Sequence, residues 1–553
     1  MEPAAVTVAE LVARALADLG LAHVFGVVGS GNFAVTNALV AAGVPFTAAR
    51  HEGGAATMAD AYARTSGRLA AVSTHQGCGL TNAITGIAEA AKSRTPLLVL
   101  TADTAGSAVR SNFRIDTDAL ARSVGAVAER VHSATSALAD VTRAVRTAVH
   151  ERRTVVLALP LDVQVEPAPQ GAAAAPLRRP APVRPARAAV GELADLLQRA
   201  QRPVFVAGRG ARDAGPQLRA LAQRSGALLA TSAVANGLFH GEAFCLGISG
   251  GFSTPLAAEL ISAADLLVGW GCTLNTWTTR HGALIGGGAT VVQVDLEDAS
   301  LGVNRSIDLG VLGDVGQSAA DVLTELLERD PRPARGYRTG EVGARIAAQG
   351  RWADVQTPDT STPTTIDPRV LSRELERRLP GERVVAIDSG NFMGYPSAYL
   401  SVPDERGFCF TQAFQSVGLG LATAIGAALA RPDRLPVLGT GDGGLLMAAA
   451  ELETAVRLGL GMLIVCYDDA AYGAEVHHFG PGGAELSTVT FPDVDIAAVG
   501  RGFGARGAVV RSVDDLHALD AWLAGPRRVP FVLDAKISDD GGSWWLAEAF
   551  RGH

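Results

Sequence analysis

Short runs of β-branched and apolar residues ending near glycine, alternating with helical patterns, recur along this chain and limit its fold more than any other feature. Leu97-Leu98-Val99-Leu100 and Val155-Val156-Leu157-Ala158-Leu159 are such runs in the first third. Val204-Phe205-Val206-Ala207 and Val291-Val292-Gln293-Val294 follow in the middle. Val384-Val385-Ala386-Ile387 and Met462-Leu463-Ile464-Val465-Cys466-Tyr467 stand toward the C-terminus. Runs this short, flanked by glycine, predict buried strands of parallel sheets with the helices as crossovers. The 63 glycines fall largely at their ends, where strand-to-helix turns are tight. The predicted class is α/β, with three doubly wound parallel-sheet domains.

Two composition shifts set the boundaries. Residues 166–187 carry Pro167, Pro169, Pro176, Pro180, Pro182 and Pro185, and residues 330–366 carry Pro331, Pro333, Pro358 and Pro363 among threonines. Proline has no amide donor, so both stretches read as linkers. Domains are expected at 1–165, 188–329 and 367–553, the first and last as variations on one architecture. A chain of 553 residues, 48% hydrophobic, buries its own core without disulfide or metal. Its net charge of −8 argues against nucleic acid as the main partner. Five scattered cysteines without a C-x-x-C pair fit a reducing cytoplasm and give no zinc signature. Met1-Glu2-Pro3 opens no secretory signal, and no apolar run reaches the roughly 18 residues of a membrane span.

The most informative segment is Leu438-Gly439-Thr440-Gly441-Asp442-Gly443-Gly444-Leu445-Leu446-Met447, which follows a predicted strand. It is read as opening a helix whose apolar face includes Leu445, Leu452 and Val456. Glycines let the backbone approach an anion, and a helix N-terminus offers free amides to it. A carboxylate there repels phosphate unless a divalent cation lies between them. The next predicted strand ends at Tyr467-Asp468-Asp469-Ala470-Ala471-Tyr472-Gly473. Two such loops, with diphosphate oxygens, can complete the octahedral shell of Mg²⁺. Taken alone, Gly441-Asp442-Gly443 is more readily an ordinary Asp-Gly turn with a helix-capping Asp, and the second loop at the right distance turns that over.

These residues resemble the thiamine diphosphate (ThDP) enzymes, and most of all the branch holding acetohydroxyacid synthases and benzoylformate decarboxylase. That family carries GDG, some distance before an Asn pair; here Gly441-Asp442-Gly443 and Glu451-Leu452 match, and Asp468-Asp469 replaces the pair. The resemblance implies that Asp442, Asp469 and the Ala471 carbonyl hold Mg²⁺. It places Gly441, Gly443, Gly444, Gly390, Asn391 and Tyr472 around the cofactor. It gives Gln415, in the run Gln415-Ser416-Val417-Gly418 read as opening a helix, a carbonyl contact to the aminopyrimidine, and it makes Val417 the apolar wedge that bends the cofactor. From spacing alone Val417 is equally a core valine.

ThDP needs a carboxyl group against its pyrimidine ring, in a setting where it can share a proton. Arg50-His51-Glu52-Gly53-Gly54-Ala55-Ala56 followed by Asp60-Ala61-Tyr62-Ala63 matches the family's activating-glutamate pattern, which assigns Glu52. In isolation, Glu52 is a first-turn acid favoured by a helix dipole. The resemblance further implies that Glu52 of one subunit meets the diphosphate loop of another, in a homodimer or homotetramer.

On the substrate side, Gly29-Ser30 and Thr74-His75-Gln76-Gly77-Cys78 are similar to the benzoylformate decarboxylase segments that carry an active-site serine and histidine. Ser30 and His75 are therefore read as proton-handling residues; the alternative for His75 is a strand-end histidine bonded to backbone. Cys78 stands where the synthases have proline. Arg110, Asn112 and Arg114 are candidates to neutralise a substrate carboxylate. The middle domain binds FAD in the synthases and nothing in many relatives, and the reading here leans toward nothing. Asn275 and Trp277 are candidates to reach the substrate cleft. His477-His478 are not a metal pair, and Ser543-Trp544-Trp545-Leu546 is either a lid or a docked C-terminus. The reading is a ThDP- and Mg²⁺-dependent enzyme that decarboxylates a 2-oxo acid and adds the acyl anion to a carbonyl acceptor. Its alternatives are a decarboxylase that releases an aldehyde and a non-catalytic cofactor-binding scaffold.

Overall fold

The computed structural model describes residues 6–551 except 331, 333 and 335. Met1-Glu2-Pro3 and the linker prolines Pro331 and Pro333 lie outside the described residues. Three parallel six-stranded sheets, each flanked by helices, follow one another along the chain. The runs read as strands are strands: Leu97–Asp103, Thr154–Pro160, Pro203–Ala207, Thr290–Asp295, Arg383–Ile387 and Leu463–Asp468. Each of the first, third and fifth is wholly buried, as expected of strands covered on both faces.

Numbered within its own sheet, the N-terminal sheet runs second, first, third, fourth, sixth, fifth across its width. The C-terminal sheet has the same order, whereas the middle sheet runs sixth, fifth, fourth, first, second, third. The first and last domains are thus one architecture twice.

Those two domains share a core. The helix Glu52–Ser66 packs against the helices Cys78–Lys92 and Gly420–Ala430. Its apolar side is mostly alanine, so the axes approach closely. A Cβ on Gly426 would lie 2.2 Å from the Met58 carbonyl oxygen, and one on Gly86 would lie 2.7 Å from Ala56 Cβ. Met58, Ile87, Leu421, Ile425 and Leu452 belong to one buried cluster that crosses the domain boundary.

Two local expectations are corrected. The helix after Gly441 is two short helices, Asp442–Met447 and Glu451–Arg457, because the chain turns at 448–450. Leu445 and Leu452 are buried and Val456 is half-buried. Within 330–366, the stretch read as a linker, the Thr339 hydroxyl caps a helix Gly340–Gln349. Gln415–Gly418 opens no helix but forms a turn two residues ahead of the helix Gly420–Ala430. Residues 166–186 carry neither helix nor strand beyond one bridge at Pro167. Among the described residues, no helix is long and apolar enough to cross a membrane.

Candidate active site

In an open parallel sheet, loops at the carboxyl ends of strands separate where the winding direction reverses, and that crevice receives ligands. In the C-terminal sheet the reversal lies between Arg383–Ile387 and Leu435–Gly441, paired with Ile387 opposite Gly439. The loops that follow these strands are Asp388–Gly390 and Gly441–Gly444. The neighbouring strand Leu463–Asp468 delivers Asp469, Ala471 and Tyr472 beside them. Gly390, Asn391, Gln415, Val417, Gly441, Asp442, Gly443, Gly444, Asp469, Ala471 and Tyr472 all line one cavity of about 1150 Å³.

The glycines here are required by space. A Cβ on Gly443 would lie 3.0 Å from the Tyr472 ring, and one on Gly444 would lie 2.6 Å from Asp388 Oδ2. Gly390 has φ +152°, and a Cβ there would lie 2.6 Å from the Phe392 ring. Bare backbone is what remains on the cavity wall.

Asp442 and Asp469 face that wall from adjacent loops. Burial first, then the nearby Asp468, pushes the Asp442 carboxyl up to about 6. Burial, then Asp442 and Asp468, pushes Asp469 up to about 8. Like charges forced together in a buried site favour a cation between them.

Asp388 organises the opposite side. It is buried, accepts from Ser389 N at 2.8 Å and Gly418 N at 3.0 Å, and burial pushes it up to about 6. The bond to Gly418 fixes the turn that leaves Val417 41% exposed on the cavity, so Val417 is not a core valine. Gln415 has φ +61°, a strained conformation for a side-chain-bearing residue. Glu89, from the N-terminal domain, holds it there by accepting from Ala413 N at 3.1 Å and Phe414 N at 2.7 Å. Burial pushes Glu89 up, but Arg64 and these amides bring it below the usual carboxylate range.

The N-terminal sheet repeats the geometry. Its reversal lies between His23–Gly26 and Ala70–Thr74, and the loops beyond them carry Ser30 and His75. Ser30 Oγ lies 3.4 Å from His75 Nε2. His75 Nδ1 is 3.0 Å from the Gln76 carbonyl, which only accepts, so Nδ1 bears the proton and Nε2 is free to accept. Phe113 packs edge-on against His75 at 5.1 Å, which brings the exposed segment of Arg110, Asn112 and Arg114 alongside.

Glu52 opens the helix Glu52–Ser66, half-buried, and accepts from Asn82 Nδ2 at 3.1 Å. Its approach is fixed from the other domain: buried Glu451 accepts from Arg50 N at 3.1 Å and His51 N at 3.0 Å. Sequence reasoning had not singled out Asn82 or Glu89, and it noted Glu451 only as part of a motif. An acid amid small apolar helical residues was the available signal for both glutamates.

Ser30, Glu52 and His75 are not on the cavity that holds the C-terminal group. One chain therefore presents two clusters rather than one site. Exposed apolar side chains accompany both: Val28, Phe33 and Phe113 in the N-terminal domain, and Phe414, Val417 and Met447 in the C-terminal one.

The family models of thiamine pyrophosphate enzymes match in order: the N-terminal TPP binding domain over residues 6–122, the central domain over 190–326 and the C-terminal TPP binding domain over 388–535. The chain belongs to the thiamine pyrophosphate enzyme family.

Relatives of this thiamine pyrophosphate enzyme include the sulfoacetaldehyde acetyltransferase of Rhodobacter capsulatus, 29% identical over 92% of this chain and 90% of that protein. Another is the acetolactate synthase large subunit of Parasynechococcus marenigrum, 29% identical over 88% and 80%. The fold matches the solved thiamine diphosphate-dependent 4-hydroxybenzoylformate decarboxylase of Rhodococcus jostii RHA1, with a TM-score of 0.82 and 20% identity, over 97% of this chain and 100% of that one. The donor set suits the family's cofactor: a bare-backbone cradle for a diphosphate, beside two carboxylates and a carbonyl for a divalent cation.

The cavity's far wall comes from the middle domain and the C-terminal tail. Asn275 and Trp277 line it, as do Trp545, Leu546 and Phe550. The tail is docked: Ser543 Oγ donates to the Asn391 carbonyl at 2.7 Å, and Trp544 Nε1 donates to the Gly251 carbonyl at 3.1 Å. His478 stacks on Phe550 at 4.0 Å, and His477 Nδ1 stands 3.9 Å from Asp539, so the two histidines diverge.

Proposed function

We propose that this enzyme uses ThDP and Mg²⁺ to decarboxylate a 2-oxo acid and transfer the acyl group to a carbonyl acceptor. The Asp442–Asp469 pair, one buried and one half-buried on a glycine-lined cavity, carries the cofactor part of this reading. Transfer is supported by relatives named as acetyltransferase and acetolactate synthase, and by a cavity large enough to take donor and acceptor beside the cofactor.

Asp442, Asp469 and the Ala471 carbonyl would hold the metal, the glycine backbone the diphosphate, and the Gln415–Gly418 turn the ring end. When bound, the cofactor supplies a carbon nucleophile for the 2-oxo carbonyl and takes up the electron pair left by CO₂. Glu52 would share a proton with the pyrimidine, one of its oxygens being steadied by Asn82. His75, its Nδ1–H committed to Gln76, offers Nε2 to move a proton at a substrate oxygen, with Ser30 within reach. Arg110 and Arg114 supply charge for a substrate carboxylate. The two clusters complete one another across a homodimer, in which the exposed apolar residues beside each become buried.

The second reading, release of an aldehyde, is favoured by the Ser30–His75 contact. Purified protein supplied with ThDP, Mg²⁺ and a panel of 2-oxo acids, with and without an added aldehyde, separates them by product mass. A 2-hydroxyketone in the presence of the aldehyde is the expected result. Aldehyde alone establishes the second reading, and no cofactor-stimulated CO₂ release would leave a non-catalytic scaffold.

A further inference from the structure

The pair Asp468-Asp469 places a second acid next to a metal-site ligand, and the structure shows what offsets it. The strand Phe531–Lys536 runs beside Leu463–Asp468 with Lys536 opposite Asp468. The Lys536 ammonium donates to Asp468 Oδ2 at 2.6 Å and to the Val494 carbonyl at 2.7 Å. Asp493 Oδ1 at 2.6 Å and Asp534 Oδ2 at 3.2 Å complete its surroundings. The side chains of Lys536 and Asp468 are 7% and 2% exposed, so this is a buried ion pair whose members depend on each other.

The other oxygen of Asp468 shapes the loop. Asp468 Oδ1 accepts from Ala470 N at 2.9 Å, and Ala470 has φ +52°. That left-handed residue stands between Asp469 and Ala471, the two groups assigned to the metal. Asparagine at 468 could keep the Ala470 bond only by turning its amide NH₂ toward the ammonium, donor against donor. Asp468 and Lys536 therefore specify one another.

We propose that Lys536 is a positioning residue of the metal site: by holding one oxygen of Asp468 it keeps the other on Ala470 N and so locks the 468–471 loop that presents Asp469 and Ala471. The inference rests on the cofactor reading above and extends it to a residue at the end of a different strand.

The test is calorimetric titration of Mg²⁺ into the full-length protein at saturating ThDP, with folding followed by circular dichroism. Lys536→Gln is expected to weaken Mg²⁺ binding by about 10- to 100-fold, the usual effect of losing a supporting partner. Adding Asp468→Asn to it is expected to restore most of that affinity, because amide then meets amide. Wild-type affinity in Lys536→Gln, or no recovery in the double variant, overturns the assignment. Should Lys536→Gln fail to fold, recovery of folding and binding by the double variant supports the pairing, and its failure overturns it. Wild-type protein that binds no Mg²⁺–ThDP would instead overturn the cofactor reading, and this inference with it.

Discussion

Glu52 is the residue on which turnover is expected to depend most sharply. Glutamine there keeps the shape and the Asn82 contact but cannot give or take a proton. Glu52→Gln is predicted to lose turnover by at least about a hundredfold, within the range set by general acid–base groups, while ThDP still quenches protein fluorescence. Near-normal turnover would remove Glu52 from its role. A second prediction concerns pH. His23 stacks on Phe25 at 4.4 Å and meets Thr47 at 2.8 Å, and burial, then Arg68, lowers it from 6.5 to about 4. Its folded form thus favours the neutral ring. The stability it contributes is present above pH 6.5 and is lost as pH falls toward 4. His23→Gln should flatten that part of the urea-midpoint profile between pH 7 and 5, and an unchanged slope would refute it. At this scale, the residues that line the cavity were legible through the family motifs, a Gly-Asp-Gly turn and an acid pair at the ends of neighbouring strands. Glu89, Glu451 and Asn82 were not, since their partners are a side chain 30 residues away or backbone amides 324 to 401 residues away.

The helices Glu52–Ser66 and Gly420–Ala430 show how small residues act at the level of elements. Their contact leaves no room at Gly426, whose added Cβ would strike backbone rather than a yielding side chain. Gly426→Ala is predicted to destabilise by about 1–3 kcal/mol, the usual range for overpacking, and to disturb both the Glu52 and Gln415 segments. A urea titration showing no loss would mean that the helices slide apart freely. Strands were legible because β-branched runs between glycines have one stable use in a sheet covered on both faces. The break at 448–450 was hidden, since Ala448-Ala449-Ala450 has every local preference for helix and only the tertiary path breaks it. The turn at Gln415 was equally hidden: φ +61° at glutamine is imposed from another domain, not by its neighbours in sequence.

For the molecule as a whole, the separation of Glu52 from the Asp442 cavity makes assembly a condition of the proposed activity. Two inactive variants, Glu52→Gln and Asp442→Ala, are predicted to regain up to about one half of wild-type activity per mixed dimer when co-expressed, because a mixed dimer contains one intact pairing of its two. Absence of recovery in a verified mixed dimer would place both groups in one protomer's site. Met447→Asp, on the exposed apolar face, is expected to shift sedimentation toward the monomer. That the first and last domains share a winding order was anticipated from composition and pattern, yet which loops face one another across copies is decided by surface shape that no single chain spells out.

Glu89 reaches out of the first domain to grip the C-terminal one, and Glu451 reaches back to grip the first. Each lobe is therefore unfinished without its covalent neighbour, long before any second copy arrives. Excised and expressed separately, the lobes should emerge as slack halves whose reactive loops wander, and simple mixing of the two fragments should tighten both at once.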